Sequence, residues 1–142
     1  MMISLRQASG IVDAVLEEGR RLNGAPLTAV VLDAGGHVVA SKREDGGSLL
    51  RPQIAFAKAW GALGMGVGSR SLAERAVRVP AFFSALNAVS EGRFVPVPGG
   101  VLIRDVGGRL LGAVGVSGDG PDHDEACAVH AVESCGLVAQ PG

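Results

Sequence analysis

The sequence predicts an α/β domain of the α+β kind, in which two β-hairpins form a mostly antiparallel sheet flanked by helices. Two observations predict it. Pairs of β-branched runs surround turns of the pattern Asp-x-Gly-Gly, first at Asp33 to Gly36 and again about 72 residues later at Asp105 to Gly108. Helical periodicity fills the chain before, between and after these pairs. With 142 residues and no linker or low-complexity tract, the chain is expected to form a single domain over 1–142. That length buries a core without disulfides or a structural metal.

Each element has its own signal. Ser4 to Gln7 has capping-box spacing, and Leu5, Ala8, Val12, Val15 and Leu22 recur at helical intervals until Asn23-Gly24. Leu27 to Leu32 and Val38 to Ser41 make hairpin one, and Val101 to Arg104 with Leu110 to Val116 make hairpin two. Between the hairpins, Ser48 is the expected N-cap and Pro52 lies in the first turn of a helix reaching about Gly64, apolar almost all round and therefore buried. Ser69 to Ala76 and Pro80 to Val89 read as short helices, followed by an extended proline-glycine loop from Phe94 to Gly100. Gly120-Pro121-Asp122 opens a last helix expected to run to about Val138.

Composition narrows the function classes. Hydrophobic residues make up 47% of the chain and charged residues 19%, balancing to a net charge of −1, and no run of Lys or Arg exceeds two. This gives no electrostatic footprint for nucleic acid. The segment from Met1 to Arg6 lacks a basic stretch leading into a long apolar run, and no stretch approaches a membrane span, so the chain is expected to be cytoplasmic with no membrane partner. Cys127 and Cys135 stand eight residues apart in a helical pattern, a rise of about 12 Å. If the helix is real, a bridge between them is geometrically excluded, which fits two small buried thiols of a reducing compartment.

Among groups able to carry chemistry, Lys58 shares a helical stripe with Leu50, Ile54, Gly61 and Met65, and Arg51 lies two turns back on the same side. A buried ammonium must be paired, snorkel out, or face a cavity that accepts an anion. Arg43, Glu44 and Asp45 end a strand before Gly46-Gly47, either as a pocket rim or as a solvated turn. Asp33 and Asp105 form turns or catalyse. Pro98, Gly99 and Gly100 offer backbone amides to a ligand, although no helix follows to make a phosphate loop. His123, Cys127 and His130 fall at i, i+4 and i+7, but the two histidines are about 10 Å apart along the axis and cannot close on one zinc. Asp124 lies on the apolar side of the same helix near its start, where it caps the helix or enters a pocket. No Ser-His-Asp order, CxxC pair or HExxH motif is present.

The segments Val31 to Gly36, Arg43 to Gly46, Ala57-Lys58-Ala59, Val95 to Gly100 and Gly112 to Gly118, together with Asp124-Glu125-Ala126, resemble the GlcG/HbpS family, which includes the C-terminal domain of some cobalamin adenosyltransferases. The resemblance covers nearly the whole chain. It implies a profilin-like domain assembled into homo-oligomers, with members described as haem-binding or haem-degrading or lying beside corrinoid and glycolate metabolism. It places Asp33, Arg43, Asp45, Lys58, Gly99, Gly100 and Asp124 at the family's motif positions, as walls of one pocket. The first helix of this chain has no histidine, and Leu102 stands where the family loop commonly has proline.

Three functions follow as expectations. One is a small-molecule binder for haem or another tetrapyrrole, with Arg43, Arg51 or Lys58 meeting the propionates and His123 or His130 the metal. Another is a cofactor-free isomerase, hydratase or lyase on a small carboxylated or carbonyl substrate, Lys58 or Arg43 holding the anion and Asp45 or Asp124 moving a proton. The third is a structural oligomer subunit, which requires a fully paired Lys58. On the first two, Lys58→Met is expected to abolish ligand effects with little loss of fold.

Overall fold

In the computed structural model, which describes residues 2–142 and leaves Met1 outside, Ser4 opens the first helix as its spacing predicts. Its hydroxyl accepts from the Gln7 amide at 3.1 Å while the Gln7 side chain accepts from the Ser4 amide at 3.0 Å. Helix α1 (Leu5–Arg21) buries Ala8, Ile11, Val12 and Val15. Leu5 and Leu22 are exposed instead of buried, because they occupy the first helical position and the C-cap, beyond the packed stripe.

Both hairpins form around the same aspartate device. In the turn between β1 (Thr28–Asp33) and β2 (Val38–Arg43), Asp33 Oδ1 accepts from the amides of Gly35 and His37. In the turn between β3 (Gly100–Arg104) and β4 (Leu110–Ser117), Asp105 Oδ1 accepts from Gly107 and Arg109. Asp33 is therefore a turn former, at the far end of β1 from the other candidates. The hairpins join through an antiparallel β1–β4 pairing, giving the order β2-β1-β4-β3-β5.

The fifth strand, β5 (Val138–Gln140), corrects the sequence reading. Helix α5 (Pro121–Ser134) stops short of Val138 because Gly136 adopts φ 76°, the Gly136 amide bonds Glu133 O and the Leu137 amide bonds Val132 O. That Schellman closure turns the chain back along β3. A second correction concerns helix α2 (Arg51–Met65), whose cap is Leu50 with no side-chain bond. Ser48 instead gives its carbonyl to the Arg51 amide in a preceding turn. Helix α3 (Ser69–Arg78) runs two residues past its expected end, and α4 (Pro80–Val89) matches.

Strand alternation sends Ala29, Val31, Val101, Ile103, Val114 and Val116 toward α1 and α5, and Val30, Leu32, Leu102 and Ala113 toward α2. Leu72, Phe83 and Phe94 form a small third cluster with α3 and α4. Helix α2 meets the sheet through Ala55, Ala59 and Ala62, side chains small enough for backbone contact. Among the described residues, no helix is long and apolar enough to cross a membrane, and both cysteines are free; Cys127 is buried as expected, but Cys135 is exposed because it caps the end of α5. A Cβ at Gly115 would lie 1.8 Å from the Ala55 carbonyl oxygen. Gly115→Ala is accordingly expected to lose about 2–3 kcal/mol in urea unfolding, with α2 displaced.

Candidate functional site

Lys58 is carried inward by the small-residue face of α2, and there it is paired. Its ammonium donates to Asp124 Oδ2 at 3.2 Å and to Val116 O at 2.9 Å, and the two side chains are only 3% and 1% exposed. Asp124 Oδ1 accepts from the Asp119 amide, so the carboxylate also shapes the entry to α5. Burial, reinforced by the nearby Arg51 charge, lowers the Lys58 pKa against the pull of Asp124, and burial raises that of Asp124 against the pull of Lys58. The two residues that the helical patterns placed on apolar faces, left unpaired by the sequence, thus meet as one ion pair.

Gly99 and Gly100 close over this pair and do not offer amides to open space. The Gly100 amide donates to Ser69 Oγ at 2.7 Å, and Ser69 in turn donates to Val97 O. A Cβ on Gly99 would stand 2.9 Å from Lys58 Nζ, and one on Gly100 2.1 Å from Lys58 O. The glycines are there so that α2 and its lysine can approach. Pro98, partly buried, belongs to the same clamp.

The other candidates lie elsewhere, so the seven motif positions do not wall one pocket. Arg43 and Asp45 line an open polar depression of about 420 Å³ with Arg20, Pro26 and Glu44. Glu44 is occupied there, bonded to Arg20 and to the Leu27 amide. His123 packs beside Asp119 and Cys127, and His130 lies 3.2 Å from Glu18 on α1. Both histidines belong to the α1–α5 layer, across the sheet from α2. Cys127 is buried between these helices, and desolvation raises its thiol to about 11.

A cleft the sequence did not reveal opens on the α2 face. Helix α2 rests on β4, β1 and β3, so β2 projects beyond it. The resulting concavity of about 520 Å³ is lined by Val30, Val38, Ser41, Pro52, Gln53, Phe56, Gly92 and Arg93, and Val38 remains 56% exposed. Arg93 stacks 4.4 Å from the Trp60 ring centroid. The register explains its other end: Arg43, Thr28 and Ser117 form one cross-strand row, next to the row of Ser41, Val30 and Gly115. Arg51 donates to Ser117 Oγ at 3.1 Å. Alternation along the sequence would not have signalled this surface, because a register shift opposite Val31 and Leu32 brings Val38 to the face of Ser41, three residues on.

A family model described as haem degrading protein HbpS-like matches residues 3–133. The chain belongs to this HbpS-like family. A relative of this HbpS-like chain is the uncharacterized 15.0 kDa protein of the dhaT-dhaS intergenic region of Citrobacter freundii, 28% identical over 131 residues that cover 92% of this chain and 90% of that one. The structure of the PduOC–haem complex aligns with a TM-score of 0.85 at 24% identity, covering 96% of this chain and 97% of that one. Klebsiella pneumoniae ORFY aligns at 0.83 and 26% identity over 94% and 90%. A double mutant of HbpS from Streptomyces reticuli aligns at 0.82 and 21% over 94% and 87%. The HbpS-like fold implied by the sequence motifs is therefore the fold observed.

The sealed pair makes Lys58→Met a stability variant, contrary to the fold-neutral outcome expected from sequence. Removing the cation strands a buried carboxylate, which costs about 3–5 kcal/mol. Urea unfolding at neutral pH is expected to show this loss in Lys58→Met, and more than half of it recovered when Asp124→Asn is added.

Proposed function

We propose that this HbpS-like chain binds a planar, largely apolar small molecule bearing carboxylates, of the tetrapyrrole class that includes haem, in the cleft between α2 and β2. The cleft carries the reading. Its volume of about 520 Å³ suits a small-molecule ligand. Phe56, Val30, Val38 and Pro52 supply flat apolar walls, Arg93 lines one end, and beyond Ser41 and Val30 at the other the next cross-strand row holds Arg43, with Arg51 bonded to Ser117 in the same row. The family's description as haem degrading, and the haem complex of the structurally similar PduOC, support the same class.

The lining residues fit the macrocycle and its carboxylates, but not the iron. None of them is His, Cys, Met or Tyr, the side chains that ligate haem iron. His37 adjoins Val38 in sequence but lies 3.4 Å from Asp33 in the hairpin turn, and His123 and His130 face α1. The reading is therefore one of binding through ring and carboxylates. Acid-base catalysis is less well supported, because Lys58 and Asp124 are sealed and bonded to each other.

Titration with haemin and with metal-free protoporphyrin IX tests this. Both are expected to bind saturably at one per chain with affinities within about threefold of each other, since ring burial and not iron ligation supplies the energy. Val38→Asp should weaken both by about tenfold or more, since a carboxylate enters the apolar wall. Binding of haemin alone, lost in a His123→Ala/His130→Ala double variant, would move the site to α5; no saturable binding of either would remove the tetrapyrrole class.

A further inference from the structure

Just past the end of the cleft where α2 begins, in the cross-strand row next to the lining residues Ser41 and Val30, several groups have hydrogen-bonding capacity or charge that the chain itself leaves open. The Thr28 side chain is fully buried, and its hydroxyl has no hydrogen-bond partner among the described residues. It stands in the cross-strand row between Arg43 and Ser117, on the face turned toward α2. Arg43 has no carboxylate partner among the described residues, and the bond of Arg51 is to the neutral Ser117 hydroxyl. The start of α2 lacks a side-chain cap. The Arg51 amide is taken by Ser48 O and the Ile54 amide by Leu50 O, Pro52 has none, and the Gln53 amide is left over beside the cleft it lines.

The nearby carboxylates do not fill this role. Glu44 is held by Arg20 and the Leu27 amide, Asp119 by the Ala25 and Gly120 amides, and Asp124 by Lys58. Asp45 is exposed in the depression that Arg43 also lines. An unpartnered buried hydroxyl, two arginines without counter-ions and a bare helix start favour one kind of occupant, an anion that accepts hydrogen bonds.

We propose that the Arg43–Arg51 end of the cleft is a carboxylate subsite, so that a planar acid enters with its carboxylate between these arginines and its ring along Phe56 toward Arg93. This rests on the cleft being the ligand site, and it adds the orientation and the charge requirement of the ligand. The Thr28 hydroxyl lies behind the arginines as the donor that the bound anion satisfies, directly or through Ser117.

Fluorescence titration of the full chain with pyrene-1-carboxylate and pyrene-1-methanol separates the two claims, because the probes share a ring and differ in charge. The acid is expected to bind about tenfold tighter than the alcohol. Arg43→Gln and Arg51→Gln should each reduce that preference by about threefold or more while leaving alcohol binding unchanged, and Arg78→Gln, remote on α3, should keep it. Thr28→Val should raise the melting temperature of the unliganded chain and lower acid affinity severalfold. Arg43 is exposed, so its replacement tests the subsite even if Arg51→Gln disturbs the fold. Equal binding of acid and alcohol, or a preference lost in Arg93→Gln and kept in the Arg43 and Arg51 variants, would overturn the subsite and leave the cleft reading standing. Binding of neither probe would overturn both.

Discussion

Helix α2 lies against the middle of the sheet at backbone distance, and this contact organises the molecule. Where it crosses β4 and β3, the positions Gly115 and Gly100 have no room for a Cβ against the carbonyls of Ala55 and Lys58. Side chains of ordinary size there would hold the helix several ångströms off. Because they are absent, α2 settles over β4, β1 and β3 and leaves the inner face of β2 uncovered, which opens the cleft. The same approach carries Lys58 under Gly99, away from water.

Once the lysine is inside, the rest of that end of the fold must answer its charge. Asp124 does so from the first turn of α5, while its second oxygen holds the Asp119 amide and Val116 O takes another ammonium proton. An ion pair of this kind gains little net stability over an apolar contact of the same shape, but it penalises any arrangement that leaves one member unpaired. The pair therefore fixes how α2, β4 and α5 meet. Ser69 and Arg70 reinforce this from α3, the first by bridging Val97 and Gly100, the second by binding Glu125 and Asp122.

The division between a sealed polar knot and an open apolar cleft separates structure from function in this HbpS-like chain. Charges buried and mutually satisfied do not meet a solute, whereas Arg93 lines the open cleft. The proposed binding surface thus lies where the helix fails to cover the sheet, and the motif residues that cluster around Lys58 hold the helix in that place.

Local signals determined most of the elements. The capping box at Ser4, the Asp-x-Gly-Gly turns, the β-branched runs of the four long strands and the prolines that open α2, α4 and α5 act within a few residues, and each appears in the structure as read. The burial of Lys58 and Asp124 was also legible, since each sits on the apolar side of its helix. β5 was not, because three residues carry too little periodicity to outweigh a continuing helix, and the Gly136 turn that separates them is visible only as geometry. Which charges meet, and where the ligand surface opens, was decided by tertiary structure alone. The family resemblance implied one pocket for Arg43, Asp45, Gly99, Gly100 and Lys58, but it is the cross-strand register that aligns Arg43 with Thr28 and Ser117, and the lateral seat of α2 that exposes Val38 and Phe56. Both depend on contacts between residues far apart in the chain, for which periodicity along it carries no information.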